Sequence, residues 1–275
     1  MSFVGSVGQL ETILARAESA LAEDDPDAAL DLCDQILGAA PNHSGALFLA
    51  GLAHRDLGNV DYAEVCFRRV IALSPNQSTP LSGLGAVLYD QLRFDEAQPI
   101  LNRAIEIDPQ NAEGYYWRAM LRQRRGDNNG SLRDFFRAGQ LEPLSFPRPL
   151  PLDDSTVEVV VQEALMAMNP TIRTYLTQVV IILDEFPSIE TCEQFDPPAL
   201  PSELLGYFAG IPITERSMGD PWSILPSTIV LFRKNLERFA PDRERLLEEL
   251  RLTIFHEVGH FLGMDEDELS QRGLE

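Results

Sequence analysis

Through the first half of the chain, apolar positions recur at helical spacing, and the whole pattern returns every 34 residues. Pro41, Pro75, Pro109 and Pro143 mark the period. Ala29, Ala63 and Ala97 fill one small position, with Ser131 as the fourth. Phe67, Leu101 and Phe135 fill a large position four residues on, which Cys33 takes in the first repeat. Gly51 and Gly85 hold a second small position on the preceding helix, where Ala17 and Ala119 stand in the outer repeats. Asn42, Asn76 and Gln110 follow the prolines and suit the turn into the next unit. The pattern predicts four helical pairs over residues 1–143.

The period then stops. Prolines at 143, 147, 149 and 151 give residues 141–156 no helical pattern, so a semi-extended linker is expected, assigned to 144–154. Beyond it, a helix is expected over 157–168 and a continuously apolar strand of the buried kind over 178–183. A loop follows at 197–201 and a second strand at 227–232. Leu247, Leu250, Ile254 and Phe261 predict a helix over 243–263, with Asp242 as its N-cap three residues ahead of Arg245. A mixed sheet packed on that helix makes 155–275 a small α+β domain.

The chemistry lies at the end of that helix, in His256-Glu257-Val258-Gly259-His260. Histidines four apart lie one above the other on one helix face, so both imidazoles can reach one metal ion, with Glu257 beside it. A catalytic zinc keeps an open position by taking three protein ligands. Gly263 is suited to end the helix and turn the chain back toward the acidic run Asp265-Glu266-Asp267-Glu268. Register favours Glu266 as the third ligand, with Asp265 and Asp267 as alternatives. The same residues also suit a helix start, with Asp265 as the N-cap.

Two resemblances rest on these residues. The 34-residue frame resembles a four-repeat tetratricopeptide array, which implies eight helices in a right-handed solenoid that binds peptides in a concave face. Residues from about 154 onward resemble the small bacterial minimal zincins, metallopeptidase-like proteins with a core like that of matrix metalloproteases. The landmarks are Leu204 to Ser217, Ser227 to Arg233, and the helix ending in His256-Glu257-Val258-Gly259-His260-Phe261-Leu262-Gly263. The spacing through Gly263 to Glu266 is similar to the metzincin motif, with Glu266 where a histidine would stand. Members usually carry Asp there. This resemblance implies zinc, a zinc-activated water as nucleophile and Glu257 as general base. It also implies a substrate strand at a sheet edge, for which 227–232 is the candidate, an ordinary inner strand being the alternative. Tyr207, Glu215 and Arg216 are candidates for oxyanion stabilisation or for a structural turn with a local ion pair.

Counting from the prolines puts Leu14, Leu21, Phe48, Leu52, Tyr89, Tyr116 and Met120 on the concave face of the array, as a peptide groove or as contacts between repeats. The chain has a single lysine, Lys234, so the groove does not read as a basic clamp for acidic chain ends.

Net charge is −21, with −7 over residues 1–150 and −14 over 151–275. Such acidity repels phosphate backbones and argues against nucleic acid as a partner. Cys33, Cys66 and Cys192 are scattered and read as reduced packing residues, which fits a cytoplasmic protein. The N-terminus shows no signal-peptide pattern, and the 179–183 run is too short to span a membrane. The expected protein is a zinc metalloendopeptidase whose repeats recruit protein substrate. The alternative is a tetratricopeptide adaptor with a weakly active or vestigial metal-binding domain.

Overall fold

The computed structural model describes residues 7–216 and 227–273, and the chain divides into two compact units, Met1–Pro147 and Arg148–Glu275. The first unit is a run of helix pairs: α1 (Val7–Ala22) with α2 (Pro26–Ala39), α3 (Ser44–Asp56) with α4 (Val60–Leu73), α5 (Ser78–Asp90) with α6 (Phe94–Ile107), and α7 (Ala112–Arg124) with α8 (Asn128–Leu141). Each helix packs on its neighbours in sequence, as a repeat solenoid requires.

The periodic positions explain the packing. Ala29, Ala63, Ala97 and Ser131 are all buried on α2, α4, α6 and α8. Large residues of the second helix fill the space left by glycine on the first: a Cβ on Gly51 would lie 2.8 Å from the Phe67 ring, and one on Gly85 would collide with Leu101. A second period joins successive repeats. Arg69, Arg103 and Arg137, spaced like the prolines, donate to the carbonyls of Pro41, Pro75 and Pro109 at 2.5, 2.6 and 3.4 Å.

Two expected groove residues are buried instead. Tyr89 and Met120 are 0% and 1% exposed. Tyr89 packs its ring against Phe94 and Trp117 at centroid distances of 5.2 and 5.6 Å, while its hydroxyl accepts from Arg124 Nε at 3.3 Å. Met120 joins the same core cluster. Leu14, Leu21, Phe48, Leu52 and Tyr116 are half-buried, packed against the cores but still reached by solvent. Ser82 holds the register position of Phe48 and Tyr116 in the third repeat, and there it donates to Glu113 at 2.8 Å. Arg55 of α3 reaches the other oxygen of the same carboxylate at 2.7 Å. The Glu113 carboxylate therefore ties α3, α5 and α7 together.

The second unit opens with a strap. The Leu150 N–H donates to the Glu237 carbonyl at 2.7 Å, and the Leu152 N–H to the Glu237 carboxylate at 3.1 Å. Leu152 itself is buried, so the end of the proline-rich stretch is fixed to this unit's core. α9 (Asp154–Ala167), α10 (Pro170–Leu176), β1 (Val179–Asp184), α11 (Ile189–Glu193), β2 (Gly206–Ala209), β3 (Ser227–Phe232), α12 (Arg233–Phe239), α13 (Arg243–Phe261) and α14 (Glu266–Ser270) follow. The sheet order is β1-β3-β2, with β1 parallel and β2 antiparallel to β3. One sheet face packs on α9 and α13 through Ile229, Leu231, Leu250, Ile254 and Val258.

Two strand expectations are corrected. Residues 227–232 form the central strand, not the edge, because β3 is hydrogen-bonded on both sides. The 179–184 strand is not buried on both faces. β1 ends the sheet and alternates, with Val180 and Ile182 49% and 41% exposed, since only its other face meets the α9–α13 layer. Among the described residues no helix is long and apolar enough to cross a membrane.

Candidate metal centre

α13 is built to deliver two histidines to one point. The Asp242 carboxylate caps its start by accepting the Arg245 N–H at 2.9 Å. Leu250, Ile254, Val258 and Phe261 bury one stripe in the core, which turns His256 and His260 to the opposite, half-open side. Their Nε2 atoms converge to 3.1 Å. His260 Nδ1 lies 3.2 Å from the Met264 carbonyl, which fixes the proton on Nδ1 and leaves the Nε2 lone pair for a cation.

The helix stops where expected. Gly263 adopts φ 87°, and a side chain there would strike Thr214. The chain turns back into α14, whose N-cap is Asp265 in a capping box with Glu268. That role engages the Asp265 carboxylate with the Glu268 N–H at 2.9 Å. Glu266, one residue on, faces the histidines: its oxygens lie 3.3 Å from His260 Nε2 and 3.7 Å from His256 Nε2. His256, His260 and Glu266 are a group of potential ligands whose donor atoms converge on one another; Asp265 and Asp267 are not part of it. Two nitrogens and a carboxylate oxygen suit zinc, and donors about 2.1 Å from a tetrahedral ion stand ~3.4 Å apart, close to the separations here.

Glu257 points elsewhere on the helix. It is 5% exposed and accepts a hydrogen bond from the Phe208 backbone N–H of β2. Burial first, then the nearby Glu266 carboxylate, push its carboxyl up to about 8, against the Phe208 hydrogen bond. The strand geometry accounts for that bond. Phe232 N–H donates to the Leu205 carbonyl at 2.7 Å, so in the antiparallel alternation Gly206 and Phe208 turn their polar backbone groups away from β3 and toward the site.

A cavity of about 620 Å³ opens over these groups. Besides the histidines, Glu257 and Glu266, it is lined by Phe195, Tyr207, Phe208, Glu215 and Met264, among others. The Tyr207 ring stacks on Phe232, with centroids 5.9 Å apart. Arg216 is not part of the lining: its guanidinium donates to the Ile211 carbonyl at 3.2 Å and to Ser227 Oγ, and lies over the Phe261 ring. Ser217, the last of that landmark segment, lies outside the described residues.

Three participants escaped the motif. The Met264 carbonyl and the Phe208 N–H are backbone groups and leave no trace in residue type. Leu269 could have been noticed as the one apolar residue between Asp265 and Gly273. It is fully buried against Gly259, where a Cβ would collide with Leu269 Cδ2, so the glycine between the histidines is where α14 seats.

No disulfide joins Cys33, Cys66 and Cys192. Burial, with Asp34 and Cys66 adding, pushes the Cys33 thiol up to about 11, which keeps it unreactive.

Comparison with known proteins matches both units. Residues 176–274 match the family model of zincin-like metallopeptidases. Residues 14–78, 83–111 and 100–133 match tetratricopeptide repeat models. A curated relative, the FK506-binding protein-like protein of Mus musculus, is 31% identical over 70 residues, a stretch that covers 26% of this chain and only 20% of that protein. Among solved structures, a thermophilic tetratricopeptide protein of Thermus thermophilus is similar with a TM-score of 0.46 at 20% identity, over 60% of this chain and 95% of that one. The first tetratricopeptide domain of Spaghetti (RPAP3), bound to an HSP90 peptide, is similar with a TM-score of 0.42 at 18% identity, over 45% and 98% of the two chains. The family models thus place tetratricopeptide repeats over residues 14–133 and a match to zincin-like metallopeptidases over residues 176–274.

Proposed function

We propose that the second unit is a zinc-dependent endopeptidase in which His256, His260 and Glu266 hold the metal and Glu257 is the general base. The observation that carries this reading is the convergence of the two Nε2 atoms and the Glu266 carboxylate, 3.1 to 3.7 Å apart, beside a buried Glu257 at the floor of an open cavity. Bound zinc would supply a Lewis acid that polarises the scissile carbonyl and acidifies water near it. Glu257 takes the proton of the attacking water and passes it to the leaving amine. The Phe208 N–H holds the Glu257 carboxylate in place, and β2, with its outward backbone edge, is the strand along which an extended peptide would lie.

In the same proposal the repeats, assigned to residues 1–143, recruit the protein substrate for a catalytic domain over 155–275 in the cytoplasm. Phe48 is the best-supported partner residue: with Ser44, Gly45, Val70 and Gln77 to Pro80 it lines a cavity of about 510 Å³. Leu14, Leu52 and Tyr116 keep some exposure for the same role.

The test is zinc content and peptide hydrolysis in the parent, His260→Ala and Glu257→Gln. One zinc per chain is expected in the parent and little in His260→Ala, while Glu257→Gln keeps zinc without turnover. A parent that takes up no metal even from added zinc would overturn the proposal.

A further inference from the structure

Glu215 is the feature of the cavity that the zinc site does not use. It lines the same space as His256, His260 and Glu266, and it is exposed. Both flanks of its turn are anchored. The Ile213 N–H donates to the Phe261 carbonyl at 2.8 Å, and Thr214 packs against Gly263, so the turn rides on the end of α13. The Glu215 N–H closes the turn onto the Pro212 carbonyl at 3.0 Å. On the other side Arg216 is bound to Ile211 and Ser227 and laid over Phe261. The Glu215 carboxylate forms no hydrogen bond or ion pair within the described residues, although an arginine is its neighbour in sequence.

The charges around it are one-sided. Apart from the two histidines and Tyr207, the ionisable lining residues are Glu215, Glu257, Asp265 and Glu266, with no lysine or arginine among them. A dication would balance Glu257 and Glu266, which leaves Glu215 and Asp265 uncompensated. Asp265 already serves as a helix cap, so Glu215 is the carboxylate free to meet a ligand. Phe195, Tyr207 and Met264 in the same lining offer apolar surface for the methylene stem of a long cationic side chain.

From this geometry we propose that the cavity selects peptides with a lysine or arginine beside the scissile bond, and that Glu215 pairs with that cation. The inference rests on the peptidase reading above and adds its substrate class. The pair forms at the mouth of the cavity, where an exposed ion pair is worth up to about fivefold in kcat/KM.

The experiment uses the full chain loaded with zinc and a series of internally quenched peptides. The peptides share one apolar sequence, with Lys, Ala or Glu stepped through the positions flanking a single bond. At one of these positions Lys is expected to exceed Ala by about fivefold and Glu to fall below Ala. In Glu215→Gln the Lys-to-Ala ratio at that position falls to about one, and in Glu215→Lys the order of Lys and Glu reverses. Zinc content and melting temperature are measured alongside, so a misfolded variant is not mistaken for a lost preference. Cleavage with the same ratios in parent and Glu215→Gln overturns this inference and leaves the peptidase intact. Zinc-loaded parent that cleaves no peptide, indistinguishable from Glu257→Gln, overturns both.

Discussion

Glu257 and His256 are adjacent on one helix yet meet opposite surroundings, because one step along α13 turns a side chain about a quarter of the way round. His256 is half-buried at the open cavity, whereas Glu257 is enclosed under β2 and bonded to Phe208. Replacing the carboxylate with an amide keeps the shape and the Phe208 contact but removes the base. Glu257→Gln should therefore lose about 10²- to 10⁴-fold in kcat on any cleaved peptide while retaining its zinc, checked by single-turnover rates and metal analysis. A glycine in the array makes a contrast. Gly85→Ala forces a methyl into Leu101 in a packed core, which should cost about 1–3 kcal/mol in urea unfolding and leave zinc content unchanged. Spacing announced both positions, Glu257 by its place between the histidines and Gly85 by its place in the repeat. What spacing could not announce is cover. Tyr89 and Met120 lie on the helix of each pair that was expected to line the groove, but Phe94, Trp117 and Arg124 close over Tyr89 and the same cluster encloses Met120.

At the scale of elements, α13 and α14 meet where Leu269 seats on Gly259 and where Glu266 approaches the two histidines. α14 has five residues and could not persist alone, so its position over the histidines comes from its capping box and from Leu269 seated on Gly259. Leu269→Ala removes that anchor while leaving all three proposed ligands in place. Its zinc dissociation constant should rise about 10- to 100-fold, the usual cost of losing support behind a ligand. Competition with a chelating dye would measure it, and an unchanged constant would mean that the ligands alone hold α14 down. The histidine pair was legible in the sequence because both residues share one helix, where spacing determines direction. Register favoured Glu266 among three acids, and in the structure the Asp265 carboxylate is engaged as a cap while Glu266 is the acid grouped with the histidines and proposed as the ligand. The sheet order was not legible. Residues 227–232 read correctly as a strand, but its partners 179–184 and 206–209 lie far off in sequence, and pairing over such distances leaves no local pattern.

On the scale of the whole chain, two units with separate cores meet the metal question differently. The array is closed by helix packing and by its recurrent arginine-to-proline-carbonyl bonds, and none of the proposed ligands belongs to it. The second unit has a three-stranded sheet, and α14 is seated on α13 by Leu269 beside the proposed site. Metal that binds only the folded second unit stabilises that unit alone, by about 2.7 kcal/mol when free zinc is a hundredfold above its dissociation constant. Calorimetry of the full chain should then show two transitions, of which EDTA lowers one by several degrees and leaves the other in place. His260→Ala should melt like the EDTA-treated parent and respond to neither zinc nor chelator. A single transition that EDTA shifts as a whole would mean that the array and the zincin-like domain unfold together, and that metal occupancy at α13 bears on the stability of the repeats.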